Sequence, residues 1–273
     1  MKIGLGLPIG APETLLDWAR RADAGPYATL GLLDRLLWHN PEPLVTLAAI
    51  AGATSRVRVQ TEVLIAPLRD TDLLAKQVAT LHRVSGGRFT LGLGVGGRAD
   101  EYAAVGRDPR TRGRRLDEQL AELYATWSGG PIGPRVADRP EILFGAFAPA
   151  ALARIPRWGD GLLCAAPLDH AGEIIGTARR LWTEAGRPGE PRIVAQVNVG
   201  LGRHADEART AIRAYYGADN PHTDAIADRL LTTPESIRET AAAFAALGAD
   251  ELMLYCWSDD PAQADELAEA AVG

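Results

Sequence analysis

The glycine-rich stretch GGRFTLGLGVGGRADEY, residues 86–102, is the part of the sequence whose residue types and spacing point most directly to chemistry. Gly92, Gly94 and Gly97 fit the G-x-G-x-x-G pattern in which backbone N–H groups bind the pyrophosphate of a dinucleotide. That function requires a strand directly before the glycines, a helix directly after them, and a place in the first βα unit. The alternative is a strand with a bare face, against which a ligand or another backbone segment packs closely.

Motifs for hydrolysis or metal binding are missing from the sequence. The five histidines, at positions 39, 82, 170, 204 and 222, are scattered and include no H-x-H pair, so no metal site is expected. No G-x-S-x-G, P-loop or C-x-x-C motif occurs. Cys164 and Cys256 stand far apart without metal-ligand spacing, which predicts two buried thiols in a reducing cytoplasm.

Composition and charge exclude several classes of partner. The net charge is -6 and the chain has no basic run, which argues against nucleic acid as a partner. Apolar stretches such as LVTLAAIAGA are far shorter than the roughly 18 residues that a membrane span needs. The N-terminal MKIGLGLPIG runs straight into a short strand and predicts no signal peptide. We therefore expect a soluble, cytoplasmic protein.

Strands and helices alternate along the whole chain, which predicts a parallel sheet with crossover helices. Segments with apolar spacing of three and four, such as DLLAKQVATLHRV, separate the strands and predict helices. Eight such units over residues 1–273 predict one (β/α)8 TIM-barrel domain, with function at the C-terminal ends of the strands. The predicted strands span residues 2–7, 29–33, 57–64, 89–95, 141–145, 161–165, 193–201 and 251–257.

This element pattern answers the question raised by the glycines. They lie within the fourth strand rather than after the first, so a dinucleotide loop is not supported. Spacing by two puts Gly92, Gly94 and Gly96 on one face, where they leave space for a ligand or pack against larger residues.

One further segment, 215–233, breaks the βα rhythm before the eighth strand. We interpret it either as an inserted loop or lid, or as an ordinary helix with a long connection.

The segment TLAAIAGATSRVRVQTEVLIAPLRDTDLLAKQVATLHRVSGGRFTLGLGVGGRADEYAAVG, residues 46–106, resembles the bacterial luciferase-like oxidoreductases that use a flavin or deazaflavin. RPEILFGAFAPAALARIPRWGDGLL, residues 139–163, resembles a later segment of the same family, and the similarity covers most of the first 165 residues. The resemblance implies a (β/α)8 barrel that holds reduced FMN or the deazaflavin coenzyme F420 at the strand ends. It also implies a cis peptide bond between Glu62 and Val63.

The resemblance also implies which residues carry the chemistry. Asp34, at the end of the second strand, matches an acidic residue beside the cofactor ring, but Arg35 stands where many members have histidine. His39 is a substitute that could reach the same place. Asp34, Glu62 and His39 are therefore the candidate acids for proton transfer to or from the substrate. A buried Glu62 must be paired or neutral, and a salt bridge to Arg35 or Arg98 is the alternative to a catalytic role.

Two further groups of residues are implied as cofactor contacts. The first lies at the ends of the second, third and fourth strands and comprises Asp34, Arg35, Glu62, Val63, Gly94, Val95, Gly96 and Arg98. The second is the loop after the fifth strand, where backbone N–H groups and the following helix N-terminus would accept the cofactor phosphate. This loop comprises Gly145, Ala146, Phe147 and Ala148.

The function that the resemblance implies is hydride transfer between F420 and a small organic substrate. One alternative is an FMN-dependent monooxygenase that needs a partner reductase, and another is a flavin-binding relative without turnover, which the absence of histidine at Arg35 favours. A phosphate-sugar isomerase with the same barrel would bind phosphate esters without any affinity for flavin. The resemblance also implies a homodimer, for which LAAIAGA offers a face of small apolar residues, although this face could equally pack on the barrel.

Overall fold

Parallel strands form a closed barrel in the computed structural model, which describes residues 1–272. The sheet order is β3-β2-β1-β9-β8-β7-β6-β5-β4, and a further pairing of β3 with β5 closes it. β3 and β4 are consecutive pieces of one strand position of the barrel, which we call a stave. The barrel therefore has eight staves, and the (β/α)8 prediction is confirmed. The strands are β1 (Lys2–Gly6), β2 (Thr29–Leu32), β3 (Arg58–Thr61), β4 (Leu64–Ile65), β5 (Phe89–Gly94), β6 (Glu141–Gly145), β7 (Gly161–Cys164), β8 (Arg192–Val199) and β9 (Glu251–Cys256).

Helices follow the strands and bury their apolar faces against the barrel. α1 illustrates the sequence logic, because its buried residues Leu15, Trp18, Ala19 and Ala22 recur at spacings of three and four. Asp70 caps α3 by accepting a hydrogen bond from the Leu73 N–H at 3.0 Å. The α-helices are α1 (Leu15–Ala24), α2 (Pro43–Ala53), α3 (Thr71–Val84), α4 (Ala99–Ala104), α5 (Arg112–Trp127), α6 (Pro149–Leu152), α7 (Arg154–Trp158), α8 (Leu168–Glu184), α9 (Ala205–Tyr216), α10 (Thr223–Asp228), α11 (Pro234–Ala246) and α12 (Gln263–Val272).

The third stave differs from the single strand predicted over residues 57–64. It is divided into β3 and β4 at the Glu62–Val63 peptide bond, which is cis. The implied cis bond is therefore confirmed. β3 pairs with β2 and β5, whereas β4 pairs only with β5, through Leu64 with Leu93 and Ile65 with Gly94. The division places Glu62 and Val63 at the C-terminal edge of β3, where a barrel enzyme holds its functional side chains.

The glycines of β5 make room for this third stave. A Cβ atom on Gly92 would lie 1.9 Å from the carbonyl oxygen of Thr61, and one on Gly94 would lie 2.5 Å from Val63 Cγ2. A Cβ on Gly96 would lie 2.9 Å from Ile65 Cγ2. Of the two interpretations of the bare face, the structure therefore shows close packing against a neighbouring strand.

We expect Gly92→Ala to lower the free energy of unfolding by about 1–3 kcal/mol, because the new methyl group overlaps the Thr61 backbone, which cannot rotate away. Gly97→Ala is the matched control, since a Cβ there meets no atom within 4 Å. Urea denaturation of both variants measures the difference. Equal stability of the two variants would show that the third stave moves freely away from β5.

The segment before the last strand is helical in part. After α9 the chain turns, forms the short helix α10, and returns to the barrel at Leu231, whose N–H donates to Asn198 O at 3.0 Å. Thr233 and Ser236 then form a capping box that starts α11. The segment 215–233 is therefore an insertion with its own short helix, and it lies over the C-terminal ends of β7 and β8.

Two simpler expectations also bear on the fold. Cys164 and Cys256 are both free and buried, as predicted. None of the helices in residues 1–272 combines the length and the apolar character that crossing a bilayer requires.

Candidate active site

A cavity of about 450 Å³ lies at the C-terminal ends of β2, β3 and β5 and is closed on one side by the inserted segment. We call it the Glu62 cavity. Its volume falls within the range of about 300–1,000 Å³ that is usual for small-molecule sites. It is lined by Leu33, Asp34, Arg35, Glu62, Val63, Ile65, Gly96, Gly97, Arg98, Glu101, Tyr215, Tyr216 and Asn220.

Val63 forms an apolar surface at the wall of this cavity. Its side chain sits between two glycines, because Cβ atoms on Gly94 and Gly145 would lie 2.5 Å and 2.9 Å from its γ-methyl groups. It also packs against the inward-facing apolar cluster of Leu143, Leu163, Val194 and Met253. Val63 is therefore fixed from behind, and its remaining face is available to a flat ligand.

Glu62 lies at the edge of the barrel interior and is only 4% exposed. Gln60 Nε2 donates to its Oε1 at 2.5 Å, and its carboxyl group packs across Gly31 of β2. Its Oε2 atom and the hydroxyl of Tyr255 are both buried and lie near each other, and neither has a hydrogen-bond partner elsewhere in the described chain. Burial raises the pKa of Glu62 to about 8. The side chain is therefore mainly neutral near pH 7, with Oε2 free to carry the proton.

This raised pKa predicts how stability depends on pH. Unfolded Glu62 ionises near the ordinary glutamate pKa of 4.5, whereas folded Glu62 keeps its proton up to a pKa of about 8. Between these values the folded state binds the extra proton, so stability falls as pH rises, by about 1.4 kcal/mol per pH unit. Urea denaturation of the wild type and Glu62→Gln between about pH 5 and pH 8 isolates this contribution. A pH-independent difference between the two proteins would contradict the neutral carboxyl group.

Asp34 holds the chain segment that follows the cis bond in place. Its Oδ2 accepts a hydrogen bond from the Ile65 N–H at 2.9 Å, and Arg69 Nη2 lies 3.0 Å from both carboxylate oxygens. Arg69 in turn binds Glu42 at 2.6 Å. Burial raises the pKa of Asp34, and the adjacent Arg69 opposes that shift. With both oxygens occupied, Asp34 is suited to positioning the cavity wall.

Arg35 connects three segments around the cavity. Its Nε lies 2.7 Å from Glu101 Oε1, and both side chains are almost fully buried. The guanidinium group also donates to the carbonyl oxygen of Tyr215 at 3.2 Å and lies 4.9 Å from the centre of that ring. Glu101 additionally accepts a hydrogen bond from the Leu36 N–H at 3.1 Å. Arg35 therefore fastens the loop after β2 to α4 and to the inserted segment.

A second cavity, of about 660 Å³, lies on the other side of the barrel mouth. It is lined by the loop after β7 at 165–169, by residues 196–198 of β8, by 226 and 228–231 of the inserted segment, and by Thr240 and Phe244 of α11. We call it the strand-edge cavity. Trp257 lies between the two cavities, because its Nε1 donates to Asn198 at 2.9 Å and its ring centre is 5.2 Å from that of Tyr215.

Residues 3–272 match the family described as Luciferase-like monooxygenase. The chain belongs to this family. An F420-dependent glucose-6-phosphate dehydrogenase of Kineococcus radiotolerans is 30% identical over 224 residues, which cover 73% of this chain and 66% of that protein. This chain spans only 53–66% of the length of the mycobacterial and F420-dependent relatives that it matches at 29–30% identity.

Solved structures of luciferase-like proteins share the barrel over nearly the whole chain. An F420-dependent secondary alcohol dehydrogenase in complex with an F420-acetone adduct superposes with a TM-score of 0.85 at 19% identity, covering 98% of this chain and 97% of that one. The oxygenating constituent of 3,6-diketocamphane monooxygenase from Pseudomonas putida, in complex with FMN, gives 0.74 at 20% identity, covering 99% and 96%. At these identities the likeness shows the fold alone.

The predicted site residues of this luciferase-like protein fall into four groups, of which the last is the loop 145–148. Asp34, Arg35, Glu62, Val63, Gly96 and Arg98 all line the Glu62 cavity. Gly94 backs Val63, and the carbonyl oxygen of Val95 accepts a hydrogen bond from Tyr102. His39 is exposed, does not line the cavity, and contacts the ring of Trp38.

The phosphate loop predicted after the fifth strand lies beside the cavity rather than in it. Gly145 touches the far side of Val63, Ala146 is buried, and Phe147 and Ala148 are exposed. The helix that follows, α6, has only four residues and begins with Pro149. A helix of one turn carries a small dipole, so any phosphate here depends on the backbone N–H groups of the loop itself.

The sequence analysis missed Arg69, Glu101, Tyr215, Tyr216 and Asn220. Arg69 and Glu101 hold Asp34 and Arg35 across sequence separations of 35 and 66 residues, for which no local pattern gives a signal. The three insertion residues line the cavity although that segment is remote from the resemblance. The alternative salt bridges of Glu62 to Arg35 or Arg98 do not form, because these arginines pair with Glu101 and Asp100.

Proposed function

We propose that the protein is an oxidoreductase that uses F420 to transfer hydride to or from a small organic substrate. The observation that carries the proposal is a neutral carboxyl group, Glu62, at the wall of a cavity of suitable size beside the apolar surface of Val63. A relative that is 30% identical over 73% of the chain is named as F420-dependent, which favours F420 over FMN. Family members at lower identity that are named with FMN keep that cofactor as the alternative.

The residues of the Glu62 cavity suit a deazaflavin or flavin ring. Val63 offers an apolar face for the ring, and the buried carboxyl group of Glu62 lines the same cavity. Arg98 lines the outer part of the cavity, where an anionic tail would extend. The backbone of residues 145–148, which lies beside this cavity, stays the sequence-based prediction for the cofactor phosphate.

The cofactor, when bound, supplies or accepts the hydride. A carbonyl carbon that receives a hydride develops negative charge on its oxygen, which must be neutralised by a proton. Glu62 holds that proton on Oε2 near neutral pH and releases it to the substrate oxygen; in the reverse direction its carboxylate accepts the proton. Asp34 and Arg35 position the cavity walls, and the insertion residues Tyr215 and Tyr216 exclude water from the site.

The experiment that tests this function is a fluorescence titration of the purified protein with F420 and, separately, with FMN under identical conditions. Tight binding of F420 with far weaker binding of FMN is the expected result. Preference for FMN would instead support a monooxygenase that depends on a partner reductase. Binding without turnover of any substrate in a broad panel would support a non-catalytic flavin-binding protein, and failure to bind either cofactor would refute the proposal.

A homodimer remains a prediction from the resemblance. α2 and α3 present exposed apolar side chains, Val45 and Leu73, on the outside of the barrel. Light scattering during size-exclusion chromatography measures the mass in solution. A mass of twice 29.1 kDa is the expected result.

A further inference from the structure

We propose that the strand-edge cavity binds the organic substrate, and that this substrate is an uncharged, largely apolar molecule with a carbonyl or hydroxyl group. That the cavity binds an uncharged molecule is argued from its geometry, whereas the reaction of this molecule rests on the proposed F420-dependent function. A phosphate ester, the substrate class in the name of the 30% identical relative, does not suit this cavity.

The cavity exists because β8 is longer than β7. Pairing between the two strands ends at Cys164 with Ala195, while β8 continues to Val199. Further along the same edge, Leu231 of the inserted segment takes the place of β7 by donating its N–H to Asn198 O at 3.0 Å. The space between Cys164 and Leu231 is therefore bordered by strand edge, and its shape is set by the main chain.

The charges around the cavity argue against an anionic ligand. Its lining contains two carboxylates, Asp169 and Asp228, and one cation, Arg229. Arg229 Nη2 faces Asp169 Oδ2 at 3.9 Å, and Asp228 Oδ1 lies 3.8 Å from Arg213 Nη2 outside the lining. Phosphate and carboxylate ligands need several convergent donors or cations. The side chains of this lining, with a formal charge of -1 (one cation, two carboxylates), offer no cluster of cations to an anion.

The remaining lining fits an uncharged molecule with one polar group. Apolar side chains such as Val197, Ile226, Leu230 and Phe244 form most of the wall. The Gln196 side-chain amide borders the cavity, so it is available to a polar group of the ligand. A mainly apolar wall with few polar groups is typical of small-molecule sites.

The strand-edge cavity and the Glu62 cavity are linked through β8 and Trp257. On the inward face of β8, Gln196 follows Val194, one of the residues on which Val63 packs. Two residues along a strand correspond to about 7 Å. Gln196 therefore lies one side-chain repeat nearer the barrel mouth than the apolar cluster behind Val63, and Trp257 contacts Asn198 of one lining and Tyr215 of the other.

Binding of cyclohexanone, used as an uncharged probe, tests the site independently of catalysis. Isothermal titration calorimetry compares the wild type with Thr240→Trp, which fills the cavity from the half-buried face of α11, in protein with and without F420. We expect the wild type to bind in both states and the variant to bind at least about tenfold more weakly. Equal affinity of the two proteins, or no binding by either, would overturn the assignment of the cavity.

Kinetics with F420 test the substrate class. Gln196→Leu is expected to raise the KM for uncharged ketones or alcohols at least about tenfold, through loss of one hydrogen bond, without changing the affinity for F420. Gln77→Leu on α3, outside both cavities, is the matched control. Turnover of glucose 6-phosphate in preference to every uncharged substrate would overturn the inference. If the protein does not bind F420 but Thr240→Trp still weakens cyclohexanone binding, only the proposed redox function is refuted.

Discussion

Replacing Glu62 by glutamine is expected to lower turnover by a factor of about 10²–10⁴, because the substrate oxygen loses its proton donor. Glutamine has nearly the same shape, and Glu62 is already neutral near pH 7, so the packing across Gly31 and the hydrogen bond from Gln60 can persist. We therefore expect the dissociation constant for F420 to stay unchanged while kcat falls. Stopped-flow measurement of the change in F420 absorbance gives the rate of the chemical step.

The pH dependence of the reaction rate distinguishes a side chain that donates a proton from one that has only a structural role. In the direction of carbonyl reduction, the wild-type rate should fall as pH rises through about 8, the pKa of Glu62. Glu62→Gln should lack this fall, because glutamine does not titrate. Glu42→Gln is the control, since Glu42 is partly exposed and binds only Arg69 and backbone outside the cavity. Full activity of Glu62→Gln with an unchanged pH profile would remove Glu62 from the mechanism.

The barrel could be predicted from the sequence because each stave is encoded locally. Short apolar runs such as ELMLYC in β9, separated by amphipathic helices, leave few other ways to bury the chain. The resemblance correctly predicted that the Glu62–Val63 peptide bond is cis. The division of the strand into β3 and β4 at this bond was not predicted. The reason is that the residues after Glu62, VLI, are continuously apolar, so nothing in their periodicity marks an interruption.

The site was predicted less completely than the fold. Asp34 and Glu62 were found as cavity residues, but their partners were not, since Arg69 and Gln60 are identified only when the strands come together. The glycines of β5 were recognised as a bare face, yet which segment packs on that face depends on the closure of β3 onto β5. Local patterns therefore predict elements, whereas pairings between elements require the assembled barrel.

The pair of Arg35 and Glu101 shows how strongly such a pairing matters. Both side chains are less than a tenth exposed and lie 2.7 Å apart, so removal of one leaves a buried charge without its partner. We expect Glu101→Leu to lower the free energy of unfolding by about 3–5 kcal/mol, as measured by urea denaturation. Asp100→Asn is the matched control on the same helix: its pair with Arg98 is largely exposed, and its loss should cost about 1 kcal/mol or less.

A double variant identifies the cause of this loss. If the unpaired charge of Arg35 is responsible, Arg35→Met combined with Glu101→Leu should be more stable than Glu101→Leu alone, because an apolar pair needs no counter-charge. The double variant should nevertheless bind F420 more weakly than the wild type, since Arg35 also holds Tyr215 of the inserted segment at the cavity. Additive losses of stability in the two single variants would mean that the arginine and the carboxylate act independently. Recovery of stability without recovery of cofactor affinity would show that this buried ion pair serves to hold the inserted segment over the site.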